Sequence, residues 1–140
     1  MVAAYHRRLT SPDRAVQLAA AQAWSVWEGA TSKLLPDDDF IHGHEDPQFA
    51  LPFARIENHY FVNRGFLRCD DQLLQDIHRI RHLPGVIVHG RYDVVCPVQN
   101  AWDLHQAWPE AKLCISPTSG HTAFEKENTA ALVAATDGFR

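Results

Sequence analysis

The chain of 140 residues is long enough for one domain of ordinary size or for part of a larger one. Hydrophobic residues make up 46% of it and charged ones 21%, which excludes a disordered chain. A net charge of −4 with no basic face in the sequence argues against a nucleic-acid partner. No apolar run approaches the roughly 18 residues of a membrane span, so no membrane partner is expected. The opening Met1-Val-Ala-Ala-Tyr-His-Arg-Arg8 lacks the apolar core of a secretory signal. Cys69, Cys96 and Cys114 are odd in number and lack metal-ligand spacing. A disulfide framework and a zinc knuckle are therefore not expected, and a reducing cytoplasmic setting is.

Ser11-Pro12-Asp13 predicts a helix start, with a hydroxyl cap, a proline at the first helical position and an acid near the positive end of the dipole. From Arg14 to Trp27, the residues Val16, Ala19, Ala20, Ala23, Trp24 and Trp27 fall at helical spacing. Trp24 and Trp27, three apart, suit packing better than a substrate platform. Gly29 and Pro36 punctuate the run. Residues 36–48 are expected to form a polar loop or a short turn. His42 and His44 alternate within it, an arrangement that chelates weakly, but no third ligand has the usual spacing and no metal is predicted. Helices are expected over 48–62 and 70–81, the second with Leu73, Leu74, Ile77 and Ile80 on one face. Residues 1–82 thus read as a helical region.

The pattern changes at Leu83-Pro84-Gly85. Val86-Ile87-Val88-His89, entering Gly90, reads as a buried strand. A helix over 97–108, a strand over 112–116 and a helix over 122–135 should follow. This order implies a parallel pair with a right-handed crossover. Two parallel strands alone make a poor sheet. The predicted fold class is therefore α/β in incomplete form, with a helical layer over 1–82 joined to the last part of an α/β domain over 83–140.

Loops after parallel strands are where open α/β sheets place their active sites. The first loop here is Gly90-Arg-Tyr-Asp-Val-Val-Cys-Pro97 and the second is Ser119-Gly-His-Thr-Ala-Phe-Glu125. His121 lies 28 residues after Asp93, room for one helix and one strand between neighbouring strands. A carboxylate that accepts from Nδ1–H fixes the imidazole tautomer and leaves Nε2 free to take a proton from a nucleophile. The order of acid then histidine matches the α/β-hydrolase fold. The plainer alternative is that Asp93 caps the following helix and His121 is solvated.

Five segments taken together carry a resemblance: Trp-Ser-Val-Trp-Glu-Gly (24–29), Phe-Ala-Arg-Ile-Glu-Asn-His-Tyr-Phe (53–61), Val-Ile-Val-His-Gly-Arg-Tyr-Asp (86–93), Ala-Trp-Asp-Leu (101–104) and Ser-Gly-His (119–121). They resemble the proline iminopeptidases, which are prolyl aminopeptidases, serine peptidases of the α/β-hydrolase fold that release N-terminal proline from peptides. The resemblance covers nearly the whole chain. It aligns with the carboxy-terminal half of those proteins, a helical cap followed by the last two parallel strands and helices of the hydrolase core. It implies that Asp93 and His121 are the acid and base of a Ser-His-Asp triad, acting on peptides with N-terminal proline without a cofactor or metal. It also implies that Glu28 and Glu57 bind the substrate's N-terminal ammonium. Paired carboxylates suit that task, because they neutralise a free cationic terminus and exclude a blocked one. The alternative for each is a solvated helix face. Phe61, four residues after Glu57 and so on the same helix face, supplies an apolar wall for the pyrrolidine ring or packs in the core. Cys96, three residues after Asp93, lies near the site or is a small buried residue.

A serine hydrolase of this fold needs a Gly-x-Ser-x-Gly turn between a strand and a helix. No two of the seven glycines are four apart, and none of Ser11, Ser25, Ser32, Ser116 or Ser119 sits in such a turn. The glycine-rich loop that lends oxyanion donors in the family has no counterpart in these residues either. The chain alone is thus expected not to hydrolyse peptides, to require a complementary amino-terminal half as partner, and to carry an open apolar sheet edge. Two other readings stay open. One is the half of another α/β-hydrolase, such as an esterase, which would share Asp93 and His121 without needing Glu28 and Glu57. The other is a non-catalytic remnant or interaction module that binds a partner through the helical region.

Overall fold

A computed structural model describes residues 1–140. The chain forms two compact units, one of Met1–Ala30 with Pro36–Asp70 and one of Thr31–Leu35 with Asp71–Arg140.

The first unit is helical: α1 (Val2–Leu9), α2 (Arg14–Ser32, whose last two residues count with the second unit), α3 (Asp38–Gly43) and α4 (Pro47–Val62). The start of α2 differs in detail from the expected one. Asp13 is the cap, its Oδ1 accepting from Ala15 N–H at 2.8 Å, while Ser11 Oγ accepts from Asp13 N–H and Pro12 stays outside the helix. Gly29 does not stop the helix. A Cβ there would stand 2.9 Å from the His44 ring, so the glycine admits that imidazole against α2. The expected polar loop over 36–48 contains α3, capped by Asp37, whose Oδ1 accepts from Phe40 N–H at 2.9 Å. His42 and His44 each donate Nδ1–H to a carbonyl four residues back, on Asp38 and Phe40. Asp46 caps α4 in the same way, accepting from Gln48 N–H, with Pro47 at its first position.

Four alanines, two leucines and one indole form the core of this unit: Leu9, Ala20, Ala21, Trp24, Ala50, Leu51 and Ala54, with Tyr5, Leu18 and Phe53 packed around them. Alanines at these positions lose no side-chain rotamer freedom on burial. The buried Asn58 crosses to α1, accepting from His6 Nδ1–H and donating to the Val2 carbonyl, both at 3.1 Å.

In the second unit the expected helix over 70–81 is broken into α5 (Gln72–Gln75) and a 3₁₀ turn, Asp76–Arg79. Only Ile77 of its apolar face is buried; Leu73, Leu74 and Ile80 are exposed. A short helix gains most of its stability from packing an apolar face, and here that face has little to pack on.

Strand β1 (Val86–Gly90) pairs in parallel with β2 (Lys112–Ser116), Val86 opposite Lys112 and Gly90 opposite Ser116. Helix α6 (Val98–Ala107) forms the crossover, and α7 (Lys126–Asp137) follows β2. Both helices pack against both strands. The fold is thus a partial α/β-hydrolase arrangement of helices with two parallel strands. The expected burial of β1 is incomplete: Val86 to His89 are half-buried and only Gly90 is buried. In a sheet of two strands each strand keeps one unpaired edge, and burial on both faces belongs to wider sheets.

At Gly90 a Cβ would collide with the Gly120 carbonyl oxygen and stand 2.7 Å from that of Ser119. Gly90→Ala is therefore expected to lower stability by about 1–3 kcal/mol, the usual range for overpacking, as read by urea denaturation.

Candidate active site

The parallel pairing does not stop at the strand ends. Arg91 N–H donates to the Ser116 carbonyl and Tyr92 N–H to that of Ser119, both at 3.0 Å. The loop after β1 is thus stitched to the loop after β2, and the side chains of Asp93 and His121 meet above this seam. His121 Nδ1 lies 2.9 Å from Asp93 Oδ2. A carboxylate oxygen accepts, so Nδ1 carries a proton, and in the neutral imidazole Nε2 then keeps its lone pair.

The Asp93 carboxylate is closely held. Its Oδ1 accepts from Val95 N–H at 3.0 Å and Cys96 N–H at 2.7 Å. Its side chain is 5% exposed, whereas that of His121 is 37% exposed. The pair therefore has a sealed carboxylate and a reachable imidazole, an arrangement able to orient a general base. Asp93 turns the loop back on itself through these bonds but does not cap the following helix, which starts at Val98 after Pro97 with no side-chain cap bond.

Cys96 meets Asp93 through its backbone, and the residue itself is exposed rather than buried. Its carbonyl accepts from His89 Nε2–H at 2.9 Å. His89 was not among the residues singled out from sequence, yet its Nε2 is also 3.5 Å from Asp93 Oδ2. An ionisable residue ending a β-branched run was the available signal. Ser116 and Ser119, the serines nearest His121 in sequence, are buried at 3% and 1% and so closed to a substrate.

The remaining candidates lie in the first unit. Glu57 Oε2 accepts from Trp24 Nε1–H at 2.6 Å. The Phe61 ring is 6.0 Å from that of Trp24, so Glu57 and Phe61 meet the same indole from successive turns of α4. Glu28 and Phe61 line a cavity of about 300 Å³ together with Tyr5, Trp24 and Trp27. Trp24 combines packing, at 7% exposure, with a polar contact to a candidate carboxylate; Trp27 is 65% exposed on the cavity wall. The spacing of the two tryptophans marked a helix face, but the bond to a residue 33 positions away left no trace in that spacing.

Residues 70–139 match the family described as TAP-like protein, a group of α/β-hydrolases. The chain belongs to that family. Across nearly its whole length it is also similar to curated proteins named proline iminopeptidase. The protein of that name from Xanthomonas citri is 71% identical over 139 residues, which is 99% of this chain and 44% of the relative. That from Xylella fastidiosa (strain Temecula1) is 68% identical over the same shares. That from Arabidopsis thaliana is 52% identical over 98% of this chain and 36% of its own length. The chain spans less than half the length of these relatives.

Trp24→Phe deletes the donor to Glu57 and with it the five-membered ring of a buried indole. It should lower stability by about 2–4 kcal/mol, the lost bond to the half-buried Glu57 adding to the space left in the core. Urea denaturation of the variant and of Trp24→Phe/Glu57→Gln checks this, the second change then costing little more.

Proposed function

We propose that this chain carries the acid and base of a serine-type prolyl aminopeptidase, with the nucleophile supplied by sequence outside these 140 residues. The observation that supports this most directly is the 2.9 Å bond from His121 Nδ1–H to Asp93, in loops at the carboxyl ends of two parallel strands. Similarity to proline iminopeptidases more than twice as long supplies the reaction and the expectation of a complementary half.

In the proposed reaction a peptide with N-terminal proline is held by Glu28 and Glu57, whose carboxylates accept from and neutralise its secondary ammonium. Phe61 offers the pyrrolidine ring an apolar contact. A serine hydroxyl from the complementary segment attacks the proline carbonyl carbon while His121 Nε2 takes its proton. The C–N bond then breaks, His121 gives that proton to the departing amine, and prolyl-serine remains. Water, deprotonated by His121, releases proline and restores the serine. Asp93 keeps the proton of His121 on Nδ1 and stabilises the imidazolium formed at each step. Cys96 contributes its backbone N–H to Asp93 and is itself an exposed residue of the acid loop. An odd count of three cysteines without metal-ligand spacing supports a reducing, cytoplasmic setting. No helix is long and apolar enough to cross a membrane.

Hydrolysis of a chromogenic proline arylamide tests this, with the chain alone and mixed with the separately expressed amino-terminal half of a related enzyme. Activity is expected only in the mixture. His121→Ala should lower it by about 10⁴-fold or more. Glu57→Gln should lower kcat/KM by roughly ten- to hundredfold, the equivalent of one charge-assisted hydrogen bond. Activity of the purified chain alone that survives His121→Ala would sink the proposal. Ester hydrolysis indifferent to Glu28 and Glu57 would replace the peptidase with an esterase.

A further inference from the structure

An imidazole that is 37% exposed and bonded to Asp93 through one nitrogen owes its position largely to the backbone that presents it. That backbone is held by groups the triad does not include. The Ser32 carbonyl, at the end of α2, accepts from both His121 N–H and Thr122 N–H at 2.9 Å. Buried Asn128 donates Nδ2–H to the carbonyls of Gly120 at 3.2 Å and Thr122 at 3.0 Å. Glu125 joins the same two segments from its other side. Its Oε1 accepts from Leu34 N–H at 2.9 Å, and its Oε2 accepts from the N–H of Gly120, the residue before His121.

Glu125 stands at the N-cap position of α7, where a short acidic or hydroxyl side chain commonly accepts from the helix's own first N–H groups. It makes no such bond. Both carboxylate oxygens go instead to backbone donors on two chain segments, in charge-assisted bonds of the stronger kind. The segments are pressed together: a Cβ on Gly120 would stand 2.9 Å from Leu34 N and 3.3 Å from Glu125 Oε2. No side chain larger than hydrogen fits between the histidine loop and the Thr31–Leu35 segment without moving one of them.

We propose that Glu125 is a positioning residue for His121, its carboxylate tying the histidine loop to the Thr31–Leu35 segment and so setting the imidazole against Asp93. This rests on the reading of His121 as the base. Glu127 provides the control, because its Oε2 accepts from Thr118 N–H at 2.8 Å and so holds the same loop without touching Gly120.

The test is ¹⁵N NMR of the full 140-residue chain labelled at histidine, which reports the nitrogen that carries the His121 proton. In the unaltered chain it is Nδ1. Glu125→Ala should shift the proton toward Nε2. Glu125→Gln, of nearly the same volume and with one acceptor oxygen left, should shift it less, and it carries the comparison alone if the alanine variant does not fold. Glu127→Ala should leave the tautomer unchanged while lowering the melting temperature. An unchanged tautomer in the Glu125 variants overturns the proposal, as does an equal shift in Glu127→Ala. The tautomer is read without any substrate, so its outcome is separate from that of the triad. Hydrolysis surviving His121→Ala would remove the base and leave the tautomer result standing. An unmoved tautomer would remove Glu125 and leave the triad standing.

Discussion

The parallel pairing of β1 with β2, continued past the strand ends by Arg91 N–H to Ser116 and Tyr92 N–H to Ser119, is the constraint on which the candidate site depends. Parallel neighbours run in the same direction, so the loops that leave them emerge at the same edge. The register brings Asp93 and His121 to that edge, and the bonds beneath the histidine loop hold it there. Once the register is set, a carboxylate three residues past one strand and an imidazole five past the other fall within 2.9 Å. Gly90 is where the demand is sharpest, because the loops approach so closely that a methyl group on the strand's last residue would enter the Gly120 carbonyl.

Each member of the pair is then specialised by its surroundings. Asp93 has its oxygens taken by Val95 N–H, Cys96 N–H and His121 Nδ1–H, with His89 close by. It is an anchored acceptor that a substrate cannot reach. The His121 side chain is more than a third exposed, so its rigidity has to come from the backbone beneath it. The first unit follows a similar logic at Trp24, whose ring packs in the alanine-rich core while its N–H reaches Glu57. A buried indole satisfies its donor and fixes a carboxylate at once.

Much of the second unit was legible in the sequence. The β-branched run ending at Gly90, the turn before it and the length of the crossover locate both strands and their direction, and with them the meeting of Asp93 and His121. The failures have a common cause. Helix α3 looked like a loop or short turn because its six residues, with Phe40 and Ile41 the two apolar ones, are too few to show an apolar period; the Asp37 cap and the contact between the Phe40 and His44 rings hold it. The helix expected over 70–81 broke because Leu73, Leu74 and Ile80 found nothing to cover them. Gly29 passed through α2 because His44 packs against it.

The sequence by itself determined the α/β order of elements, the parallel pair and the placing of Asp93 and His121 at its carboxyl edge, because strand, turn and crossover signals are local or set by chain length. Only the tertiary structure decided what holds those groups. Glu125 reaches Leu34 across 91 residues, Trp24 reaches Glu57 across 33, and His89 turns toward Asp93 at the loop's closure. Such bonds depend on which backbone donors are left unpaired once the elements have packed, and no periodicity along the chain records that.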